Sequence, residues 1–330
     1  MKVTGPRYLS SAEDVINEAV ENTYVLSRFL RGRGMDKVIQ GGKTINDVVM
    51  FDDDSTYDHY QPNETFSWTN PQVLTTLEIN WRFSIDHMAW TDQEIELNVG
   101  EGLSYDAQKV VYKRLKRTKE MRLWTSLLNG MEADLWKPAA SQQTEMEDST
   151  GKLPYSIPAF ISENTTHYHD TDWTTIQGVD PANESKWRNQ VSLYDYADPD
   201  DSDGDNDGLI DAFDEMWLKC RFIPPATKQE YFDKPNLNRQ FIAASRSGIN
   251  LYKRMLRDAN DTLVSKQDPA YNNPQYSGID IIYVSTLDTA TIFGGATEAA
   301  ATTAGNRFWW INGNYLTPVF HARRYMEKHD

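Results

Sequence analysis

The chain has 330 residues, of which 39% are hydrophobic and 12% aromatic, and its formal net charge is −16. A chain of this length and composition can bury a sizeable core, which excludes a disordered polymer. The single cysteine, Cys220, excludes disulfide bonds within the chain and is typical of a reducing cytoplasm. No apolar run is long enough for a membrane span and no signal peptide is visible, so we expect no membrane partner.

The charge is unevenly distributed along the chain. Residues 103–138 contain eight Lys or Arg and four Asp or Glu, whereas residues 139–220 contain four basic and 18 acidic residues. This separation permits one cationic and one anionic face on the folded molecule. The alternative is that the segments intermix on folding.

The first predicted elements are a helix and a β-ribbon. Residues 10–31 have helical spacing, with Ser10 and Glu13 in the relation of a capping box. From residue 45 to 100 the apolar period changes to two, with strands predicted over 45–51 and 77–85. Acidic and aromatic residues fill the segment between those strands. We therefore expect a long ribbon that lies on the chain's own core or on a neighbour.

The longest predicted element is a helix over 103–137, which contains no proline and would be about 50 Å long. Its basic residues predict a cationic strip that suits a polyanion, although a solvated face is the common alternative. The strip consists of Lys109, Lys113, Arg114, Lys116, Arg117, Lys119 and Arg122. The apolar positions fall at helical spacing and are expected to make one stripe, namely Leu103, Val110, Val111, Leu115, Met121, Leu128, Met131 and Leu135.

After the helix, residues 139–198 are predicted to be irregular, and an Asp-rich segment follows. Its spacing fits a twelve-residue calcium loop, because oxygen ligands recur at positions 1, 3, 5, 7, 9 and 12 with Gly208 at position 6. Position 12 is an Asp instead of the usual Glu, which predicts weak or partial Ca²⁺ binding. The alternative is a solvated acidic loop. The candidate ligands are Asp203, Asp205, Asp207, the carbonyl of Leu209, Asp211 and Asp214.

The remaining sequence predicts alternating helices and strands. Residues 209–219 should begin a helix, and Ser247 should cap another that continues to about residue 264. Strands are predicted over 279–285, 307–311 and 315–320. Together with the ribbon and the long helix, these elements predict an α+β fold.

No enzyme motif is present. The sequence has no nucleophile elbow, no dinucleotide-binding glycine pattern, no zinc-protease motif and no paired cysteines. His167, His169 and Asp170 could suggest a metal, but closely spaced His residues in a polar loop are more often exposed side chains. We therefore expect a structural or binding protein that is not an enzyme and requires no cofactor.

The order of these elements resembles a tailed-bacteriophage major capsid protein of the Hong Kong 97 type. Gly178-Val179-Asp180 followed by Trp187-Arg188-Asn189 is similar to a stretch common in such proteins, as is the closing segment 305–321. The resemblance covers essentially the whole chain. It implies an amino-terminal arm (1–44), an extended β-ribbon loop (45–100), a peripheral lobe (101–189) with spine helix 103–137, an axial lobe (190–290) with an Asp-rich insertion (198–214), and a return to the peripheral lobe (291–330).

The resemblance also implies a function and partners. The chain would self-assemble as pentamers and hexamers into an icosahedral virion head that encloses double-stranded DNA, in the host cytoplasm. A separate scaffolding protein, a portal protein and, in some heads, a decoration protein would be partners. A separate scaffold is expected because the ribbon begins near residue 45. The basic strip would face DNA, and the loop would contact neighbours through Trp68, Trp81, Phe83, Tyr57 and Tyr60.

One departure from the family concerns the extended loop. No lysine occurs between Lys43 and Lys109, so the loop cannot supply the lysine of an autocatalytic isopeptide cross-link. A shell built from this chain should therefore be held noncovalently.

Two other classes of protein remain open from the sequence. A calcium-dependent surface or carbohydrate-binding protein would explain the Asp-rich loop and the many aromatic residues, but it would require export. A metal-dependent hydrolase would require carboxylates and histidines that converge in a pocket.

Overall fold

The computed structural model describes a mixed helix-and-sheet fold, in agreement with the predicted α+β class. The predicted helix over 10–31 lies outside the described residues. Those residues are 37–50, 57–62, 64–65, 74–89, 91, 93–94, 97, 105–137, 142–161, 175–194, 208–220, 240–259, 274–289, 307–313 and 316–323.

The predicted ribbon is present as two antiparallel strands, β2 (Thr44–Met50) and β3 (Leu74–Asn80). The second strand lies earlier than the predicted 77–85, and residues 81–89 have no regular structure. The register explains the difference, because Asn80 pairs with Thr44, the first residue of β2. Gly41 and Gly42 precede β2 and have positive φ angles of 157° and 123°, so the chain changes direction before β2 begins. Residues beyond Asn80 therefore have no partner strand.

The predicted long helix is confirmed as α1 (Tyr105–Leu135). The apolar positions of α1 are not buried as a single stripe, because only Leu115 and Glu132 of this helix are buried while Val110 and Met121 are exposed. Val110 and Leu115 are five residues apart, about 140° around a helix axis, so one flat surface cannot cover both. Only the carboxyl-terminal end of α1 packs against a described core.

Short elements follow α1. They are α2 (Gln143–Glu147), α3 (Ile157–Phe160) and a 3₁₀ turn (Ser185–Trp187). Between α3 and the 3₁₀ turn, Ile176 and Val179 exchange two backbone hydrogen bonds of 3.0 Å. Gln177 and Gly178 make this tight turn with φ angles of 54° and 83°.

A four-stranded sheet forms the main core. Its strands are β4 (Gln240–Ala244), β5 (Gln275–Tyr276), β6 (Ile279–Tyr283) and β7 (Phe308–Asn312). Their order in the sheet is β5-β6-β4-β7, with β4 parallel to β6 and antiparallel to β7. The associated helices are α4 (Leu209–Lys219), α5 (Arg246–Ala259) and α6 (Ser285–Thr289). The last strand, β8 (Val319–His321), pairs with β1 (Lys37–Ile39) in parallel.

Both faces of this sheet are buried along β4, because consecutive residues of a strand point to opposite faces and residues 241–244 are all buried. Phe241 and Ala243 belong to a cluster that includes Trp136 from the end of α1. Ile242 and Ala244 belong to a second cluster with Leu209 and other residues of α4 and α5. The end of the long helix and the sheet therefore share one core.

Two sequence predictions concern this region. The cap of α5 is Ser245 and not Ser247, because the Ser245 Oγ accepts a hydrogen bond of 3.3 Å from the Gly248 N–H. In addition, β7 lies in the segment predicted to return to the peripheral lobe, but it pairs with β4 of the predicted axial lobe. The predicted boundary at residue 290 itself lies outside the described residues and stays a prediction.

Candidate assembly surfaces

The β2–β3 ribbon has one packed face and one exposed apolar face. Residues that pair across an antiparallel ladder point to the same side. The side that carries Leu77 packs against Val179 and Trp187. The opposite side carries Val48, which is 59% exposed, and Leu74, which is 60% exposed. Met50 pairs with Leu74 and extends the same patch, so three large apolar side chains face solvent at one end of the ribbon.

The predicted loop contacts fall into three groups. Phe83, Tyr57 and Tyr60 are exposed, as a contact with a neighbour would require. Trp81 is half-buried, and its indole Nε1 donates a hydrogen bond of 3.1 Å to the Gly42 carbonyl, so Trp81 belongs to the root of the ribbon. Trp68 lies outside the described residues.

Helix α1 presents a second exposed apolar surface. Val110, Met121 and Trp124, at spacings i, i+11 and i+14, fall in one stripe along the helix. All three are exposed, and Trp124 remains 47% exposed despite its size. Arg117 lies within the same stripe. At the beginning of the helix, the ammonium of Lys109 lies 4.2 Å from the centre of the exposed Tyr105 ring.

One of the seven basic residues predicted to form the cationic strip of α1 is not exposed in the structure. Lys119 is mostly buried, and its ammonium forms a 2.5 Å ion pair with Glu94 and a 2.8 Å hydrogen bond with the Ala89 carbonyl. Lys119 therefore fastens the segment that follows the ribbon to the helix. The remaining six basic side chains are exposed, and they are Lys109, Lys113, Arg114, Lys116, Arg117 and Arg122.

The candidate calcium loop is described only in its second half, since Asp203, Asp205 and Asp207 lie outside the described residues. Leu209 is the first residue of α4, so its carbonyl is directed into the helical hydrogen-bond ladder. Asp211 is exposed in the first turn. Asp214 accepts a hydrogen bond from the Tyr276 hydroxyl. These contacts do not fit a closed calcium loop unless a bound cation displaces them, and Ca²⁺ binding stays a prediction.

Burial raises the pKa of two titratable groups next to the sheet. It raises the pKa of the Cys220 thiol to about 11 and that of the Tyr252 hydroxyl to about 12. Such shifts make both groups less reactive near neutral pH. Within the described residues, no three His, Cys, Asp or Glu side chains come together as a metal site. The described helices also include none that is long and apolar enough to cross a membrane.

The sequence did not single out Arg82, which the structure places at the root of the ribbon. A signal was available, because Arg82 is the only Lys or Arg between Lys43 and Lys109 in a strongly acidic segment. A lone cation among many carboxylates suggests a specific local partner. Its partners turned out to be backbone carbonyls, which no sequence pattern marks.

Comparison with known proteins gives one structural likeness. The chain is similar to "Cyanophage A-1(L) capsid asymmetric unit", with 16% sequence identity and a TM-score of 0.47, over 96% of this chain and 80% of that chain. No family model matches the chain. No curated protein matches its sequence.

Proposed function

We propose that this protein is the major capsid protein of a tailed bacteriophage, with the Hong Kong 97-type fold, and that it assembles into an icosahedral head around double-stranded DNA. The observation that carries the proposal is the pair of apolar surfaces left exposed on two separate elements. One is the ribbon patch of Val48, Met50 and Leu74, and the other is the α1 stripe of Val110, Met121 and Trp124. Exposed apolar patches that are bordered by polar residues mark interaction sites.

The partner that these surfaces fit is another copy of the same chain. The two surfaces differ in shape and charge, since the ribbon segment is acidic and α1 is basic. A contact between different surfaces of identical subunits is heterologous, and it closes into a ring when the rotation between subunits allows it. Pentamers and hexamers in a shell are rings of this kind.

The six exposed basic side chains of α1 are proposed to face the enclosed DNA. Lys109, Lys113 and Lys116 lie on one face at spacings i, i+4 and i+7, next to the apolar stripe. Repeated cations along a helix neutralise phosphates without reading bases. This contact would be independent of DNA sequence and sensitive to salt.

The proposed role as a major capsid protein also specifies where the chain acts and with which partners. The chain acts structurally and not as an enzyme, in a virion assembled in the host cytoplasm, with separate scaffolding and portal proteins and, in some heads, a decoration protein as partners. The segment without lysine from residue 44 to 108 favours a noncovalent shell. No observation on the described residues favours a carbohydrate-binding protein.

Assembly is tested by placing charge in the ribbon patch. The double variant Val48→Asp plus Leu74→Asp should keep its melting temperature, because both side chains already face water, but it should sediment as single subunits. A matched control is Leu193→Asp, which changes a side chain that is 84% exposed outside both surfaces and should assemble normally. Electron microscopy and analytical ultracentrifugation, with the scaffolding protein present, make the comparison. Normal shells from the double variant would contradict the proposed role of the ribbon.

The DNA contact has its own test. Replacing Lys109, Lys113 and Lys116 with Gln should leave shells intact but lower DNA retention as salt is raised. In binding to duplex DNA, the slope of log affinity against log salt should become shallower by about 0.9 for each phosphate that is no longer neutralised. Lys119→Gln is the control, because its ammonium is occupied by Glu94 and should leave the slope unchanged. Failure of shell formation with an unaltered slope would assign the strip to subunit contacts.

A further inference from the structure

The Arg82 guanidinium is held by four backbone carbonyls from one short segment. Its Nε donates to the Leu153 carbonyl at 3.0 Å, and one terminal nitrogen donates to Gly151 at 2.7 Å. The other terminal nitrogen donates to Met146 and Asp148, both at 2.6 Å. Because these acceptors lie in and after α2, more than 60 residues along the chain, the contact joins the ribbon to the body of the molecule.

The segment that receives Arg82 is folded by hydrogen bonds of its own, and we call residues 146–153 the carbonyl cup. The Glu145 carbonyl accepts a 3.1 Å hydrogen bond from the Leu153 N–H, and the Glu145 carboxylate accepts one from the Lys152 N–H. Gly151 lies so close that an added Cβ would be 2.2 Å from the Glu145 carbonyl oxygen. The cup therefore requires glycine at this position, and hydrogen bonds other than those of Arg82 also hold its backbone.

Two neighbours of Arg82 hold the same end of the ribbon. Asn80, two residues before Arg82, donates from Nδ2 to the Glu147 carbonyl at 3.2 Å, so it reaches the same segment. Trp81 makes its contacts elsewhere, with the Gly42 carbonyl and with the ring of His321, whose centroid is 5.4 Å away. The root is thus fixed to the cup and to β8 together.

The contact depends on the geometry of arginine. A guanidinium is planar and presents five N–H donors in fixed directions, whereas a lysine ammonium is a point charge with three donors. Four acceptors around one guanidinium define its position and also its orientation. Carbonyls near the end of a short helix are also partly negative, which favours a cation there.

We infer that Arg82 and the carbonyl cup form a fixed joint that sets the direction in which the β2–β3 ribbon leaves the body of the protein. In the shell, the joint selects which neighbour the ribbon reaches, a consequence that rests on the proposed function. The joint itself does not, because its contacts lie within one chain.

The joint is tested on the single subunit by pulsed electron paramagnetic resonance. Nitroxide labels would be placed at Met50→Cys on the ribbon and Ser126→Cys on α1, both exposed positions, in a Cys220→Ser background. Arg82→Lys should broaden the distance distribution between the labels. It should also increase hydrogen exchange at the Gly151 and Leu153 amides by roughly tenfold, as loss of charge-assisted hydrogen bonds predicts.

Two further variants make this test specific. Gly151→Ala leaves Arg82 in place but forces the cup to open, so it should broaden the same distribution. Arg188→Lys is the matched control, because the Arg188 guanidinium donates at 2.8 Å to the Pro181 and Ala182 carbonyls of its own loop. It should leave the distribution narrow. Distance distributions of equal width in the parent chain and in all three variants would overturn the proposed joint.

The effect of the joint on assembly is measured in a separate experiment. In electron micrographs, Arg82→Lys should give particles of mixed size and curvature, while Arg188→Lys gives uniform ones. Uniform particles from Arg82→Lys, despite a broadened distribution, would overturn the selection of neighbours and keep the joint. If the parent chain formed no particles, the proposed function would fail while the resonance experiment still decided the joint.

Discussion

The four-stranded sheet and the β2–β3 ribbon are both built from alternating apolar strands, yet they are stabilised in different ways. Four of the five residues of β4 are buried, whereas β2 and β3 each bury one of seven. The sheet has helices and the end of α1 around it, and its burial is complete within one chain. The ribbon packs one face on residues 179 and 187 and leaves the other to solvent.

This difference shows that the same strand pattern can serve a core or a surface. A two-stranded ribbon is marginal by itself in water. Here the ribbon is positioned by polar contacts at its root, chiefly those of Arg82, and by the few apolar contacts of Leu77. We therefore expect substitutions in the sheet to change folding and substitutions on the ribbon to change association.

The largest expected effect separates the two regions. Phe241→Ala removes a fully buried ring from the sheet and should lower the free energy of unfolding by about 3–5 kcal/mol. Val48→Ala, on the exposed ribbon face, should change it by less than about 0.5 kcal/mol. Chemical denaturation of the unassembled subunit measures both. A similar loss of stability in the two variants would mean that the ribbon face is buried in the free chain.

A smaller loss of stability is expected from the amino-terminal cap of α5, the helix that follows β4. Ser245→Ala removes the side-chain cap of α5 and should destabilise the subunit by about 1 kcal/mol. Ser247→Ala, which alters the cap that the sequence had suggested, should have the smaller effect. Thermal melts of the two variants decide between the positions, and the reverse order would restore Ser247 as the cap.

A pH dependence is expected at the carbonyl cup. Burial raises the pKa of the Glu147 carboxyl above its usual 4.5, against a lowering by the Gln143 hydrogen bond. From pH 4.5 up to the raised value the folded state binds more protons than the unfolded state, so the free energy of unfolding falls as pH rises. Glu147→Gln should remove this slope and stabilise the subunit at neutral pH. Melting temperatures from about pH 4 to 8 test this, and an unchanged slope would contradict it.

The smallest expected effect is that of calcium on α4. Weak binding near the dissociation constant would stabilise the subunit by only about 0.4 kcal/mol. Chelation should lower the melting temperature slightly, added Ca²⁺ should restore it, and Asp203→Asn plus Asp207→Asn should abolish the response. A melting temperature indifferent to chelator would leave the segment as an acidic surface turn. Either result would leave the sheet and ribbon comparison unchanged.

Much of the local structure was determined by the sequence. Helical spacing and the absence of proline predicted α1 within two residues at each end, and period-two alternation predicted both strands of the ribbon. A helix that begins within 209–219 was also predicted, and it is present as α4. These features depend on near neighbours in the chain, so periodicity alone carries them.

Tertiary structure decided which side of each element is covered. The sequence could not show that Val110 and Met121 face solvent, because an apolar stripe indicates burial without indicating by what. The pairing of β7 with β4 joins segments that are far apart in the chain. The choice of Ser245 over Ser247 as the cap of α5 is local, but both residues are suitable caps by type, so residue type alone does not decide between them.

The candidate assembly surfaces also combine features that the sequence predicted with features that only the structure revealed. The cationic strip was visible as residue types, but the removal of Lys119 from it required the position of Glu94. The role of Arg82 was hidden from the sequence altogether, because its partners are carbonyls that every residue possesses. The folding of residues 145–153 around Gly151 directs those carbonyls toward one point, and Arg82 can bind all four of them only in that arrangement.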